Sequence, residues 1–124
     1  MTGATILVIN NDLIWGTKIA EAVFQAGLKC VRAKTDGEAM DQVRQSLPSF
    51  ILIDLGVGSL DAVELIKRLK QDPELKKIPV LGYTFHTDQE TWKKGVAAGC
   101  DRVVARSALQ QELGKEIAKI KQAG

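Results

Sequence analysis

The residues able to do chemistry in this chain stand at the ends of short apolar runs. Asn10, Asn11 and Asp12 follow TILVI, and Asp54 follows FILI with Gly56 two residues on. Thr84, Phe85 and His86 follow PVLGY, and Arg106 and Ser107 follow VVA. The amides supply acceptors without charge, and a hard divalent ion is usually held by carboxylates. Asp54 and Arg106 are suited to a structural ion pair, because arginine offers a planar fork to a carboxylate. Such a pair would favour the charged carboxylate and lower its pKa. Asn10, Asn11 and Asp12 are equally suited to capping a helix, and Thr84 to satisfying a backbone group. With one histidine, His86, a His-based metal site or triad is not expected. His86 reads as a surface loop residue. Cys30 and Cys100 lack the paired spacing of zinc or redox motifs. No glycine-rich phosphate loop follows the first run, which continues Asn10-Asn11-Asp12-Leu13.

Five strand and helix alternations are needed to bring these ends together. Thr5 to Ile9 reads as a buried parallel strand, short and β-branched. Leu13 to Ala26 reads as a helix with Trp15, Ile19, Ala22, Val23 and Ala26 on one face, stopped by Gly27. Leu28 to Ala33 is the second strand. Thr35-Asp36-Gly37-Glu38 is a capping box for a helix burying Ala39, Met40, Val43 and Leu47. Phe50 to Ile53 is the third strand. Asp61 caps the next helix, which carries Val63, Ile66 and Leu69 and stops near Pro73. Ile78 to Gly82 is the fourth strand, Thr87-Asp88-Gln89-Glu90 a second capping box, and Gly99 the end of its helix. Val103 to Ala105 is the fifth strand. Ser107 caps a last helix with Leu113, Ile117 and Ile120 inward. This alternation predicts an α/β fold with a parallel sheet covered on both faces, whose working crevice lies at the carboxyl ends of the strands. The chain has 124 residues, 45% hydrophobic and 26% charged, which suits one globular domain over 1–124. A formal charge of +2 is too small for the basic stripe of a dedicated nucleic-acid binder. No apolar run approaches a membrane span, and the N-terminus does not read as a signal peptide.

The segments ILVINND, FILIDLGVGSLDAVELIKRL, IPVLGYT and AAGCDRVVARS make the chain resemble a response-regulator receiver domain over essentially its whole length. The resemblance implies a flavodoxin-like (βα)5 three-layer sandwich with parallel sheet order 2-1-3-4-5. It also implies the family's usual chemistry, Mg²⁺-assisted phosphoryl transfer to an aspartate. On that correspondence Asp54 stands at the phosphoacceptor position and Thr84 at the hydroxyl that bonds the phosphoryl group. Gly56 stands where a backbone carbonyl helps hold the metal. The departures are specific. Asn10 and Asn11 replace the family's acidic pair, Arg106 its lysine, and Ser107 the proline after it. Phe85 replaces the small residue after the threonine, and Val103 the aromatic switch residue of the fifth strand. Without the acidic pair, Mg²⁺ binding is expected to be weak or absent, with Asp12, Asp54 and Gly56 as residual candidates. Phosphoryl transfer leans on the metal for charge neutralisation, and the Phe85 ring crowds the approach. No other cofactor is implied.

Receivers commonly signal through the surface of the fourth helix, fifth strand and fifth helix. Carried over, that face holds Trp92, Val96, Cys100 and Val103, with Glu116 and Lys119 beside them. Trp92 and Val96 are one helical turn apart. A tryptophan there is either an interface anchor or packs on its own helix. On the first helix, Leu13 and Phe24 lie away from the inward face. They are expected to pack on the final helix, the alternative being a dimer patch. The resulting expectation is a cytoplasmic pseudo-receiver of a two-component system. It is not an enzyme, and it acts by phosphorylation-independent contact with a sensor kinase, an output protein or a second copy of itself. A receiver phosphorylated at Asp54 is the first alternative, and a small-molecule-binding flavodoxin-like module the second. Neither nucleic acid nor membrane is an expected partner.

Overall fold

The computed structural model describes residues 4–56 and 61–123. Five strands, β1 (Thr5–Ile9), β2 (Lys29–Ala33), β3 (Phe50–Asp54), β4 (Val80–Thr84) and β5 (Arg102–Ala105), form one parallel sheet in the order β2-β1-β3-β4-β5. Five helices connect and follow them: α1 (Leu13–Gln25), α2 (Asp36–Ser46), α3 (Ala62–Gln71), α4 (Gln89–Ala98) and α5 (Leu109–Ala123). This is the flavodoxin-like fold that the alternation implied.

Strand side chains alternate between faces, and the helices sort accordingly. Leu7, Ile9, Ile51 and Ile53 pack with Val43 of α2 and Leu65, Ile66 and Leu69 of α3. Ile6, Val8, Leu52, Leu81 and Tyr83 pack on the other face with Ile19 and Val23 of α1 and Leu113 and Ile117 of α5. The middle strands are buried along their whole length. The functional ends therefore gather along one edge of the sheet.

Several local expectations shift by a residue or two. β4 starts at Val80 rather than Ile78, because the Ile78 N–H donates to the Leu75 carbonyl and closes a turn after α3. Pro79 has no N–H to give a ladder. The Val80 N–H then finds the Asp101 carboxylate at 2.7 Å. Asp88, not Thr87, caps α4 by accepting from the Thr91 N–H at 3.2 Å. Ser107 does not cap α5, since Arg106–Ala108 form a 3-10 turn with no side-chain cap. Thr35 caps α2 as expected, but Glu38 reaches back to the Lys34 N–H rather than to Thr35. Asp61 caps α3, and Gly27 and Gly99 follow their helices with φ of +82° and +119°. Leu47 does not join the core: it is the left-handed C-cap of α2 and is 62% exposed. Ala22 is likewise exposed. Phe24 is 77% exposed, so it does not pack on α5; the side chain of Leu13 lies outside the described residues.

Candidate functional site

Asp54 is the last residue of β3, and the register places Tyr83 of β4 directly beside it. Asn10 follows Ile9, the partner of Ile53, so it stands at the same level on the next strand. By the two-residue alternation, Asn10, Asp54 and Tyr83 lie on the face that packs α1 and α5. All three are buried, with Asn10 at 1%, Asp54 at 5% and Tyr83 at 0% exposure. The Asn10 Nδ2 donates to the Tyr83 hydroxyl oxygen at 3.1 Å. Tyr83 is the cross-strand neighbour of Asp54. Asp54 Oδ1 also accepts from the Gly56 N–H at 2.9 Å.

Burial pushes the Asp54 pKa up; the Gly56 N–H and the Arg106 guanidinium offset part of this, and the Asp12 carboxylate adds to it. This reverses the expectation of a lowered pKa. The expected ion pair between Asp54 and Arg106 is not formed either. Arg106 pairs with Asp12 instead, and its guanidinium lies 5.3 Å from the centroid of the Trp15 ring and 5.3 Å from that of Phe85. The reason is depth. Asp54 ends a central strand below the rim, whereas Asp12 stands at the start of α1, level with the end of β5.

Of the three residues offered as caps, only Asp12 acts as one, accepting from the Trp15 N–H at 3.0 Å. That bond, helped by Arg106, lowers the Asp12 pKa against the opposing effect of burial. Asn10 is committed to Tyr83, and Asn11 lines the cleft. The cleft holds about 250 Å³ and is bounded by Asn11, Asp12, Asp54, Gly56, Thr84, Phe85, Asp88 and Arg106. Thr84 Oγ1, in its lining, is buried without a hydrogen-bond partner, as is Asn10 Oδ1, which faces Gly16 of α1 outside that lining. A Cβ added to Gly56 would stand 3.6 Å from both Asp54 Oδ1 and Thr84 Oγ1, so glycine keeps that approach open. Phe85, 60% exposed, forms part of the rim.

Two residues here, Tyr83 and Arg32, gave no functional signal in the sequence. Tyr83 reads as one more core residue of an apolar strand, although counting by twos from Leu81 gives its face. Trp15 packs partly buried against the core on the inward face, as expected, with Arg106 over its ring. Arg32 of β2 lies across α1 at Gly16, where an added Cβ would sit 1.9 Å from Arg32 Nη2 and 3.0 Å from Asn10 Oδ1. A helix-interior glycine costs roughly 1 kcal/mol relative to alanine, and the room it leaves for Arg32 accounts for its presence.

The Mg²⁺ implied by the resemblance meets a poor donor set. A small hard ion favours carboxylates in octahedral array. Here Asn10 points its amide nitrogen at Tyr83, and the Asp12 carboxylate is taken by Arg106 and the Trp15 N–H. Among the described residues no group of three or more His, Cys, Asp or Glu side chains could hold a metal ion. These residues do not fit the ion, and no step is derived through it.

On the second candidate surface, Val96 is 55% exposed and Trp92 half-buried on the same side of α4. Val103 is half-buried against the core under α4. Glu116 pairs with Arg102 at 3.6 Å and with Lys119 at 3.4 Å. Cys100 does not belong to the exposed face: it is buried in the core, where its thiol pKa is pushed up to about 12 by desolvation. Cys30, on edge strand β2, is also a free thiol.

The profile of the response regulator receiver domain family matches residues 6–118. The chain is 30% identical over 110 residues to the polar-differentiation response regulator DivK of Brucella ovis, covering 86% of this chain and 85% of that protein. It is 27% identical over 113 residues to the phosphate regulon transcriptional regulatory protein PhoB of Pseudomonas aeruginosa. That match takes in 91% of this chain but only 49% of PhoB, so the chain spans about half of that relative. The structure superposes on the chemotaxis response regulator CheY4 of Vibrio cholerae with a TM-score of 0.81 at 19% identity, over 94% of this chain and 98% of that one, a likeness of fold. No helix among the described residues is long and apolar enough to cross a membrane.

Proposed function

This chain belongs to the response regulator receiver domain family, and on that premise we propose that it is an atypical receiver, a single signalling module that works by protein–protein contact without regulated phosphorylation of Asp54. The observation that carries the reading is that Asp12 and the Asn10 amide nitrogen are already committed to other groups of the protein, Asp12 to Arg106 and the Trp15 N–H, and Asn10 to Tyr83. Asp54 is left as a buried carboxylate with neutral amides where a cation would need charge. Phosphoryl transfer to an aspartate depends on positioning and charge neutralisation, and this cleft supplies the first without the second.

The α4–β5–α5 face then serves as the output surface in the unmodified protein, with Trp92 as anchor and Val96, Val103, Glu116 and Lys119 around it. Its partner is a cytoplasmic signalling protein, a sensor kinase or output protein, or a second copy of the chain. Val103 carries no ring to move between two positions, so a modification at Asp54 has little differential affinity to act through. Titration with Mg²⁺ to low millimolar, followed by amide NMR shifts, tests the cleft. Flat responses at Asn10, Asn11 and Asp54 are expected; saturable shifts confined to those residues would defeat the proposal.

A second reading, a receiver phosphorylated at Asp54, is favoured by one observation. Thr84 Oγ1 is buried and unpartnered beside the open space at Gly56, as a hydroxyl waiting for an acceptor would be.

A further inference from the structure

Two cavities meet at the rim of the cleft. The polar one, about 250 Å³, has Asp54, Thr84 and Asp88 in its lining. The second, about 350 Å³, is lined by Trp15, His86 and Ser107, and both are walled by Phe85 and Arg106. We propose that the joined cavities bind a small organic cation, a primary ammonium carried on an aromatic ring. The ammonium sits between Asp54, Thr84 and Asp88, and the ring lies against Phe85 and Trp15. This goes beyond the output face and does not depend on it.

The first observation is an unanswered hydroxyl. Thr84 is 2% exposed and lines the polar cavity, and its Oγ1 has no hydrogen-bond partner. Buried polar groups are almost always hydrogen-bonded, so a group entering the cavity is its natural partner. Space for one is present: a Cβ built on Gly56 would stand 3.6 Å from both Thr84 Oγ1 and Asp54 Oδ1, and the two oxygens border the same small volume. The second observation is charge. Arg106 is the one basic side chain among the described lining residues, and Asp12 already pairs with it. Asp54 and Asp88 then leave the lining net negative; Lys94 acts on Asp88 only from a distance and pairs with Glu90 at 3.3 Å. An ammonium has three N–H donors, which hydroxyl and carboxylate oxygens can accept. It does not need the octahedral carboxylate array that Mg²⁺ favours, so residues unsuited to the metal suit the organic cation. The third observation is the ring pair. The Arg106 guanidinium lies 5.3 Å from the centroids of both Trp15 and Phe85, so these rings already hold one planar cation. Phe85 is still 60% exposed, which leaves ring surface for an aromatic to pack in the offset or edge geometry that rings prefer. Ligand pockets combine apolar walls with a few convergent polar groups, and the two cavities supply one each.

The test titrates phenethylammonium into the full chain without Mg²⁺ and follows amide and indole NMR shifts. Saturable shifts at about millimolar concentration are expected at Thr84, Phe85 and the Trp15 indole, as suits so small a ligand. Phenylacetate keeps the ring and reverses the charge, and is expected not to bind. Ethylammonium keeps the charge and lacks the ring, and is expected to bind roughly ten-fold more weakly. Thr84→Val keeps the shape and removes the hydroxyl, and should weaken phenethylammonium binding roughly ten-fold. Asp88→Asn, which retains a helix cap, should weaken it several-fold. Absence of saturable shifts at these residues overturns the proposal, as does phenylacetate binding equally tightly, or undiminished affinity in folded Thr84→Val. If Thr84→Val does not fold, undiminished affinity in Asp88→Asn overturns it. With neither metal nor protein partner in the sample, the result is independent of what the α4–β5–α5 face binds.

Discussion

The cleft at the strand ends and the α4–β5–α5 face are built from similar residues used in different ways. In the cleft, Arg106 is a third or less exposed, pairs with Asp12, and lies between the rings of Trp15 and Phe85. On the face, Arg102 stands 45% exposed and shares Glu112 and Glu116 with Lys115 and Lys119. Both regions pair their charges, but the basic partners on the face, Arg102, Lys115 and Lys119, stand far more exposed than Arg106. Recognition is available in different forms: the cleft keeps the buried, unpartnered Thr84 hydroxyl oxygen in the same lining as Asp54, whereas an anchor with a polar surround is what an interface uses.

The largest effect that would sharpen this contrast is on binding. Trp92→Ala is expected to weaken self-association or partner binding by about 2 kcal/mol, measured by sedimentation equilibrium or calorimetry. Asp54→Ala should change it little, with circular dichroism confirming the fold. If Asp54→Ala abolishes binding while Trp92→Ala spares it, the roles of the two regions are reversed.

Next comes the rim. Arg106→Ala removes the Asp12 pair and two cation–ring contacts, and should cost roughly 1–2 kcal/mol of unfolding free energy, read from urea melts. An unchanged midpoint would mean that the cleft is not held by its own charges.

The inner carboxylate gives a smaller effect, defined by its sign. Asp54 has a raised folded-state pKa, so the native state binds the proton more tightly than the unfolded chain. Its ionisation therefore lowers stability as pH rises from the unfolded pKa through the folded one. The penalty is full above the folded pKa and absent below the unfolded pKa. Asp54→Asn is expected to match or exceed wild-type stability at neutral pH and to lose that advantage in acid. Thermal melts across that range check it, and a variant less stable at pH 7 than at pH 3, relative to wild type, would contradict it.

The smallest effect belongs to the charges of the proposed output face. Glu116→Gln should cost about 0.5 kcal/mol, because its basic partners Arg102 and Lys119 are exposed and such pairs are worth little, and salt should shrink that further. A larger, salt-resistant loss would show that this network is structural rather than available.

Much of this was legible in the residues. Five apolar runs divided by amphipathic segments dictate a covered parallel sheet, and the strand ends then bring Asp54, Thr84, Phe85 and Arg106 to one cleft. Asp61 and Thr35 are caps because their side chains meet the third residue of the helix they start. Thr87 and Ser107 carry the same signal without using it, since a neighbouring aspartate or a 3-10 turn takes the position first. The partner of Arg106 was not legible. Asp12 and Asp54 are both carboxylates at strand ends, and the choice between them depends on depth below the rim, which no spacing reports. Tyr83 was hidden for the related reason that an aromatic in a buried strand is ordinarily core. Its hydroxyl accepts from Asn10, a partner that only the tertiary fold brings within reach.

The central claim is that Asp54 is not a working phosphoacceptor. Incubation of the wild-type chain with Mg²⁺ and acetyl phosphate, followed by intact mass spectrometry, tests it most directly. The account predicts only the unmodified mass. A stoichiometric phosphoprotein that is absent in Asp54→Asn would contradict it.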